Sequence, residues 1–240
     1  MKIVLRIRRF NPEKDKRPHD KDYAVEVERT DRILDALMKV QNEQDGSLSF
    51  RKSCAHGVCG SDAMIISGVE RLACKTLVQD VAREENTVIT VAPLKYMPVQ
   101  KDLMVDQGAF FQKYRAVKPY LINDEPVPEK ERIQSAAERA AFDDTTACIL
   151  CGSCYSSCPI LAAVPGYIGP AALVQAARFV FDSRDKGLAD RLPVLDDPRE
   201  GAWGCENHFN CTRVCPREIK VTKNINAIKR IITRSKEAGV

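Results

Sequence analysis

The fold is decided by the run CILCGSCYSSCP, residues 148–159, which places four cysteines ahead of a proline. Its spacing, C-x2-C-x2-C-x3-C-P, is that of a loop in which three thiolates hold one iron–sulfur cluster and the fourth thiolate ligates another. The two-residue gaps let a tight loop direct successive sulfur atoms toward one small body. Pro159 then suits the first turn of a following helix, where its missing N–H costs nothing.

A partial copy of this run lies downstream at residues 205–216, CENHFNCTRVCP. Its three cysteines repeat three of the four ligand positions, and His208 stands where the first run has Cys151. Histidine could bind a fourth iron there. Alternatively, His208 lies beside the cluster without touching iron, which we favour because imidazole is bulkier than a thiolate.

A third group lies in the N-terminal half, where CAHGVCGSD, residues 54–62, is followed by Cys74. The spacing matches the C-x4-C-x2-C…C pattern of a two-iron cluster, except that Asp62 occupies the third ligand position. Carboxylate oxygen can bind iron, so the substitution does not exclude this cluster.

All ten cysteines can be assigned as cluster ligands if the last cysteine of each run ligates the cluster of the other run. The four-iron set is then Cys148, Cys151, Cys154 and Cys215; the three-iron set is Cys158, Cys205 and Cys211; and the two-iron set is Cys54, Cys59, Asp62 and Cys74. Disulfides are typical of secreted chains, and no signal peptide follows Met1, so we expect thiolates. Structural zinc favours separate C-x2-C pairs over this unbroken run.

The composition of the chain excludes some classes of function. The chain has 240 residues, which predicts one or two domains, and a net charge of +4 from 37 basic and 33 acidic residues. No basic stripe with interleaved aromatic residues is present, so we expect no nucleic-acid partner. No apolar run approaches the ~18 residues of a membrane span, so a membrane role would come through a partner.

The N-terminal half has strand patterns around one helix. Residues 2–10 and 23–28 alternate apolar and polar side chains and predict a hairpin, while residues 64–67 and 86–91 predict further strands. Between them, an apolar stripe predicts a helix that begins near residue 31. Two strands, a helix, a cluster loop and further strands form the order of a plant-ferredoxin β-grasp. Residues 92–105 contain two prolines and are interpreted as a linker.

The second half has helical periodicity, and we expect its apolar stripes to be core faces. The four stripes are Phe110, Phe111, Tyr114 and Val117; Ile133, Ala136, Ala137 and Ala140; Leu173, Ala176, Ala177 and Val180; and Val221, Ile225, Ile228 and Ile232. The predicted fold is therefore α+β: a plant-ferredoxin-like β-grasp domain over residues 1–98, then an all-α bacterial-ferredoxin-like domain over residues 99–240.

The whole chain resembles the iron–sulfur subunit of succinate dehydrogenase and fumarate reductase. The resemblance is carried by five short motifs: RKSC at 51–54, GVCGSD at 57–62, LAC at 72–74, GPA at 169–171 and DSRD at 182–185. It implies an electron-transfer subunit of succinate:quinone oxidoreductase, active only in complex. Electrons from succinate would leave FAD on a flavoprotein subunit, pass through 2Fe–2S, 4Fe–4S and 3Fe–4S clusters in that order, and reach a membrane quinone.

The resemblance also implies partners and a location. The partners are the flavoprotein and a cytochrome b membrane anchor that could carry haem b, and they would hold this chain on the cytoplasmic face of the cell inner membrane. Pro159 and His208 are expected near the quinone, and no residue of this chain is expected to be catalytic. Two alternatives stay open: a fumarate reductase running in reverse, and a soluble iron–sulfur adaptor that connects another flavoprotein to a different acceptor.

Overall fold

The computed structural model describes residues 1–238. The chain divides into two compact units. The first contains Met1–Gln107 together with the loop Ile149–Ser157, and the second contains Gly108–Cys148 and the chain from Cys158 onward. The first unit is rich in strands, and the second is helical.

A five-stranded mixed sheet forms the first unit. Its strands are β1 (Lys2–Arg9), β2 (His19–Glu26), β3 (Ala63–Ile66), β4 (Val69–Leu72) and β5 (Val88–Ala92). The spatial order is β2-β1-β5-β3-β4, in which β1 and β5 are parallel and the other neighbours are antiparallel. The predicted hairpin and both further strands are confirmed. Strand β4 was not predicted, because Glu70 and Arg71 interrupt its apolar residues, whereas β3 is an unbroken apolar run.

Helix α1 (Ile33–Lys39) continues as a π-helical turn over Val40–Gln44 and buries its apolar face against the sheet. The inward side chains of β1, which alternate along the strand, share the same core. This confirms the predicted helix. A short helix α2 (Val78–Val81) follows. Residues 92–105, interpreted as a linker, include a small antiparallel sheet of β6 (Val99–Lys101) and β7 (Met104–Val105).

Within the described residues, eight further α-helices follow in chain order. They are α3 (Gly108–Ala116), α4 (Ala136–Ala140), α5 (Ser153–Ser156), α6 (Ile160–Ala163), α7 (Pro170–Val180), α8 (Leu188–Leu195), α9 (Asn210–Arg213) and α10 (Val221–Glu237). All but α5 belong to the second unit, where α7 packs against α3, α8 and α10. Within residues 1–238, no helix is long and apolar enough to cross a membrane.

Two of the predicted apolar stripes lie on α7 and α10 and are mostly or wholly buried. The stripe on α3 is covered in part, through Phe110 and the neighbouring Val117. The stripe that includes Ile133 was predicted wrongly as a core face. Helix α4 has no buried residue and Ile133 is 86% exposed, because an alanine stripe on a five-residue helix offers little apolar area to bury.

Candidate iron–sulfur centres

The first cysteine loop is shaped by left-handed backbone. Ala55, Gly57 and Gly60 have φ angles of +57°, +79° and +68°, and they turn the chain around the Cys54 side chain. The backbone N–H of Cys59 lies 3.3 Å from Cys54 Sγ. Successive N–H groups that converge on one point form a concave site for a negative charge.

The amides of this loop favour a thiolate. N–H groups of His56, Cys59 and Val58 point at the Cys54 sulfur and lower the pKa of Cys54 to about 6. Ser61 Oγ lies 3.2 Å from Cys59 Sγ, which supplies a second polar contact to a candidate ligand. The loop is therefore prepared to hold sulfur in its anionic form.

Asp62 and Cys74 are buried together. The Asp62 carboxylate is 2% exposed, and its Oδ2 accepts a hydrogen bond of 2.5 Å from the Cys74 backbone N–H. Its Oδ1 is buried with no hydrogen-bond partner in the described part of the chain. Burial raises the pKa of Cys74 to about 12, and the charge of Asp62 acts in the same direction. A buried carboxylate oxygen without a partner is costly unless a cation meets it, so these residues fit an iron site.

The second cysteine loop, Ile149–Ser157, contacts the first loop within the same unit. A Cβ placed on Gly60 would lie 2.6 Å from Cys151 Cβ, so the two loops touch where Gly60 lacks a side chain. The Ser156 hydroxyl donates to Glu70 at 2.9 Å and accepts from the Lys95 N–H at 2.9 Å. These contacts fix the loop that contains Cys151 and Cys154.

Three thiols of the second unit share one cavity. Cys158, Cys205 and Cys211 line it together with Tyr167 and Thr222. Burial raises the pKa of Cys158 to about 11, and the charges of the other two thiols also act to raise it. Three thiolates in one buried space repel each other unless positive charge lies among them, so this set fits a cluster.

His208 lines the same cavity but directs its ring toward another side chain. Its Nε2 lies 3.2 Å from Glu206 Oε2, and its side chain is 47% exposed. Asn207 and Phe209 on either side have φ angles of +60° and +62°. This placement favours the interpretation in which His208 does not touch iron.

The remaining candidate ligands have fixed local positions. Cys148 ends the 3-10 turn Asp143–Ala147, and Cys215 follows α9 in the second unit. Pro159 caps α6 at its N-terminus. Within residues 1–238, no three cysteine, histidine or acidic side chains lie close enough to ligate one metal ion. In an iron–sulfur cluster the thiolates bind different irons, so its ligands need not converge on one ion.

Two family models match the chain in succession. A 2Fe-2S iron-sulfur cluster binding domain matches residues 4–112, and a 4Fe-4S dicluster domain matches residues 144–219. The succinate dehydrogenase iron-sulfur subunit of Coxiella burnetii is 40% identical over 99% of this chain and 100% of its own length. The chain belongs to the family of iron–sulfur subunits of succinate dehydrogenase and fumarate reductase.

Other members of this family agree. The fumarate reductase iron-sulfur subunit of Mycobacterium tuberculosis is 37% identical over 96% of both chains. A chain of the Mycobacterium smegmatis Sdh1 complex in the apo form superposes with a TM-score of 0.87 at 26% identity, covering 98% of this chain and 97% of that one. The predicted family, its electron-transfer function and its cluster cofactors, 2Fe–2S, 4Fe–4S and 3Fe–4S, are confirmed.

In this iron–sulfur subunit, the sequence did not predict the polar contacts of the candidate ligands and of the loops that contain them. Thr222 Oγ1 lies 3.6 Å from Cys211 Sγ, and the two residues are eleven positions apart. The Ser156–Glu70 pair joins residues 86 positions apart. Ser61 alone could have been found from the sequence, because it lies two residues after Cys59 inside the loop.

Proposed function

We propose that this chain passes electrons singly from an FAD-containing flavoprotein subunit, through its 2Fe–2S, 4Fe–4S and 3Fe–4S clusters in that order, to a quinone at a membrane anchor. The proposal rests on the 40% identity between this chain and a succinate dehydrogenase iron-sulfur subunit over 239 residues. Three separate sets of cysteine ligands along one chain are expected of a protein that moves electrons, whereas stabilising a fold would not require them.

The proposed ligand sets are the ones predicted from the spacing of the cysteines in the sequence. Cys54, Cys59, Asp62 and Cys74 hold the 2Fe–2S cluster, a set that the buried unpaired Oδ1 of Asp62 supports. Cys148, Cys151, Cys154 and Cys215 hold the 4Fe–4S cluster. Cys158, Cys205 and Cys211 hold the 3Fe–4S cluster, and their common cavity supports it. Bound clusters supply one-electron carriers, while the protein supplies ligands, hydrogen bonds and burial.

The first cluster should be considerably more oxidising than a plant-type centre at about −400 mV, which is poorly matched to electrons from succinate. Hydrogen bonds to sulfur favour the reduced state because they stabilise added negative charge. The amides that point at Cys54 and the hydroxyl of Ser61 beside Cys59 act in this direction.

The finer fold assignment is also a proposal. The β1–β2 hairpin, the following helix α1 and the parallel pairing of β5 with β1 support a plant-ferredoxin-like β-grasp in the first unit. The short helices beside the cysteine runs support a bacterial-ferredoxin-like second domain. We keep the predicted division at residues 1–98 and 99–240, with the loop Ile149–Ser157 associated with the first unit.

We propose a peripheral membrane position through partner subunits, on the cytoplasmic face of the inner membrane. Pro159 and His208, both of which line the cavity of the proposed 3Fe–4S ligands, are the residues that we place near the quinone. The reaction can run as succinate oxidation or as fumarate reduction, since relatives named for each enzyme share a similar identity with this chain.

The test is to purify the native complex and follow its clusters by electron paramagnetic resonance (EPR) during titration with succinate and with quinols. We expect a flavoprotein and a membrane anchor to co-purify, succinate to reduce the clusters and quinone to reoxidise them. A complex without a flavoprotein, or clusters that neither succinate nor quinol can reduce, would refute the proposal and favour the adaptor.

A further inference from the structure

A pair of threonines forms a hydrogen-bonded chain that ends on one thiol. Cys211 and Thr212 lie on α9, and Thr222 is the second residue of α10. The Thr222 backbone N–H donates to Thr212 Oγ1 at 3.0 Å, and the two hydroxyl oxygens are 3.0 Å apart. Thr222 Oγ1 lies 3.6 Å from Cys211 Sγ.

The backbone N–H polarises this chain. It belongs to the first turn of α10, where N–H groups have no partner within the helix, and Thr212 Oγ1 uses one lone pair to accept from it. A hydroxyl that accepts a hydrogen bond becomes a better donor, so the cooperative arrangement runs from the N–H through Thr212 and Thr222 to sulfur. The proton of Thr222 Oγ1 is then directed at Cys211.

Burial makes the contact effective. Thr222 is 1% exposed and Cys211 is 8% exposed, so water does not compete with the hydroxyl. A hydrogen bond from the Thr222 hydroxyl stabilises negative charge on the Cys211 sulfur. The same stabilisation acts on negative charge that reaches the sulfur when a cluster is reduced.

We propose that the Thr212–Thr222 pair donates a hydrogen bond to the Cys211 thiolate and thereby raises the reduction potential of the cluster that Cys211 ligates. The inference rests on the proposed ligand set Cys158, Cys205 and Cys211. Reduction adds one electron from the preceding cluster and moves no proton; the hydroxyl proton stays on Thr222 Oγ1. The pair thus makes the terminal cluster a better electron acceptor.

The experiment is an EPR-monitored potentiometric titration of the purified complex with Thr222→Val and Thr222→Ser. Valine keeps the shape and removes the hydroxyl, whereas serine keeps the hydroxyl. At fixed potential we expect Thr222→Val to lower the reduced-to-oxidised ratio of the 3Fe–4S cluster roughly tenfold, about 59 mV for one electron. Thr222→Ser should titrate like the wild type, and the other two clusters serve as internal controls.

Thr212→Val provides a second variant if Thr222→Val does not assemble, and it should shift the same cluster in the same direction by a smaller amount. An unchanged potential in the valine variants, an equal shift of all three clusters, or a serine variant that behaves like valine would overturn the inference. A wild-type complex without a 3Fe–4S signal would instead refute the proposed ligand set, so the two failures are distinguishable.

Discussion

Replacing Gly60 by alanine tests how closely the two cysteine loops of the first unit are packed. Gly60 has a φ of +68°, and its added Cβ would lie 2.6 Å from Cys151 Cβ and 3.0 Å from Cys151 Cα. Ordinary carbon contacts are about 3.5–4.0 Å, so one loop must move by roughly 1 Å. The obstacle includes backbone, which cannot rotate away as the end of a flexible side chain can.

The magnitude follows from two contributions. Left-handed backbone costs alanine about 1–2 kcal/mol, and overpacking adds about 1–3 kcal/mol. Gly68 gives a matched control, because its φ is +81° but a Cβ there would meet nothing within 4 Å. Gly68→Ala should therefore lose only the backbone contribution, and Gly60→Ala should lose both.

The assay compares the thermal unfolding midpoints of the cluster-loaded complex and the intensity of the reduced 2Fe–2S EPR signal. At about 2–4 °C per kcal/mol for a chain of this size, Gly60→Ala should unfold roughly 2–12 °C below Gly68→Ala. It should also lose 2Fe–2S signal, while Gly68→Ala keeps it. Equal midpoints and equal signals would refute the reasoning that the loops are in contact at Gly60.

Variants at three further positions test other parts of the molecule. Asp62→Asn should lose or alter the 2Fe–2S EPR signal and Asp62→Cys should retain a cluster; an unchanged spectrum in the asparagine variant would mean that the carboxylate does not ligate iron. The hydrogen bond from Lys21, the largest of several, holds the pKa of Asp45 well below its usual range. The ionised Asp45 therefore stabilises the fold above about pH 4, and this stabilisation is lost as the pH falls further. Asp45→Asn should reduce the acid-dependent fall of the unfolding midpoint. A fall parallel to that of the wild type would contradict this. Arg191→Met removes the ion-pair partner of the buried Asp185 carboxylate, which lies 2.7 Å from Arg191 Nη1. It should lower the free energy of unfolding, measured by thermal denaturation, by about 3–5 kcal/mol. A loss below about 1 kcal/mol would indicate that the pair is exposed to solvent.

Local patterns in the sequence were sufficient for much of the fold. Alternation along β1 and the helical stripes of α7 and α10 predicted elements that the structure contains, because one face of each is buried in a core. Strand β4 and the small β6–β7 sheet were not predicted, since their pairing partners define them. The stripe at Ile133 failed because periodicity cannot tell whether anything covers a face.

The candidate ligands could be predicted because cluster loops fix sulfur positions by short gaps in one segment. The surroundings of those ligands could not. Thr222 reaches Cys211 from a different helix, and Gly60 meets Cys151 from a loop about ninety positions earlier. Such contacts arise only when the elements pack, and no local spacing encodes them.

We propose that ten cysteines and Asp62 hold three different clusters. EPR spectra of the purified complex, oxidised and then reduced with dithionite, test it most directly when combined with iron and acid-labile sulfide analysis. We expect a 3Fe–4S signal in the oxidised state, 2Fe–2S and 4Fe–4S signals after reduction, and iron and sulfide in the amounts that these clusters require. Zinc in place of iron, or the absence of any one of the three signals, would contradict it.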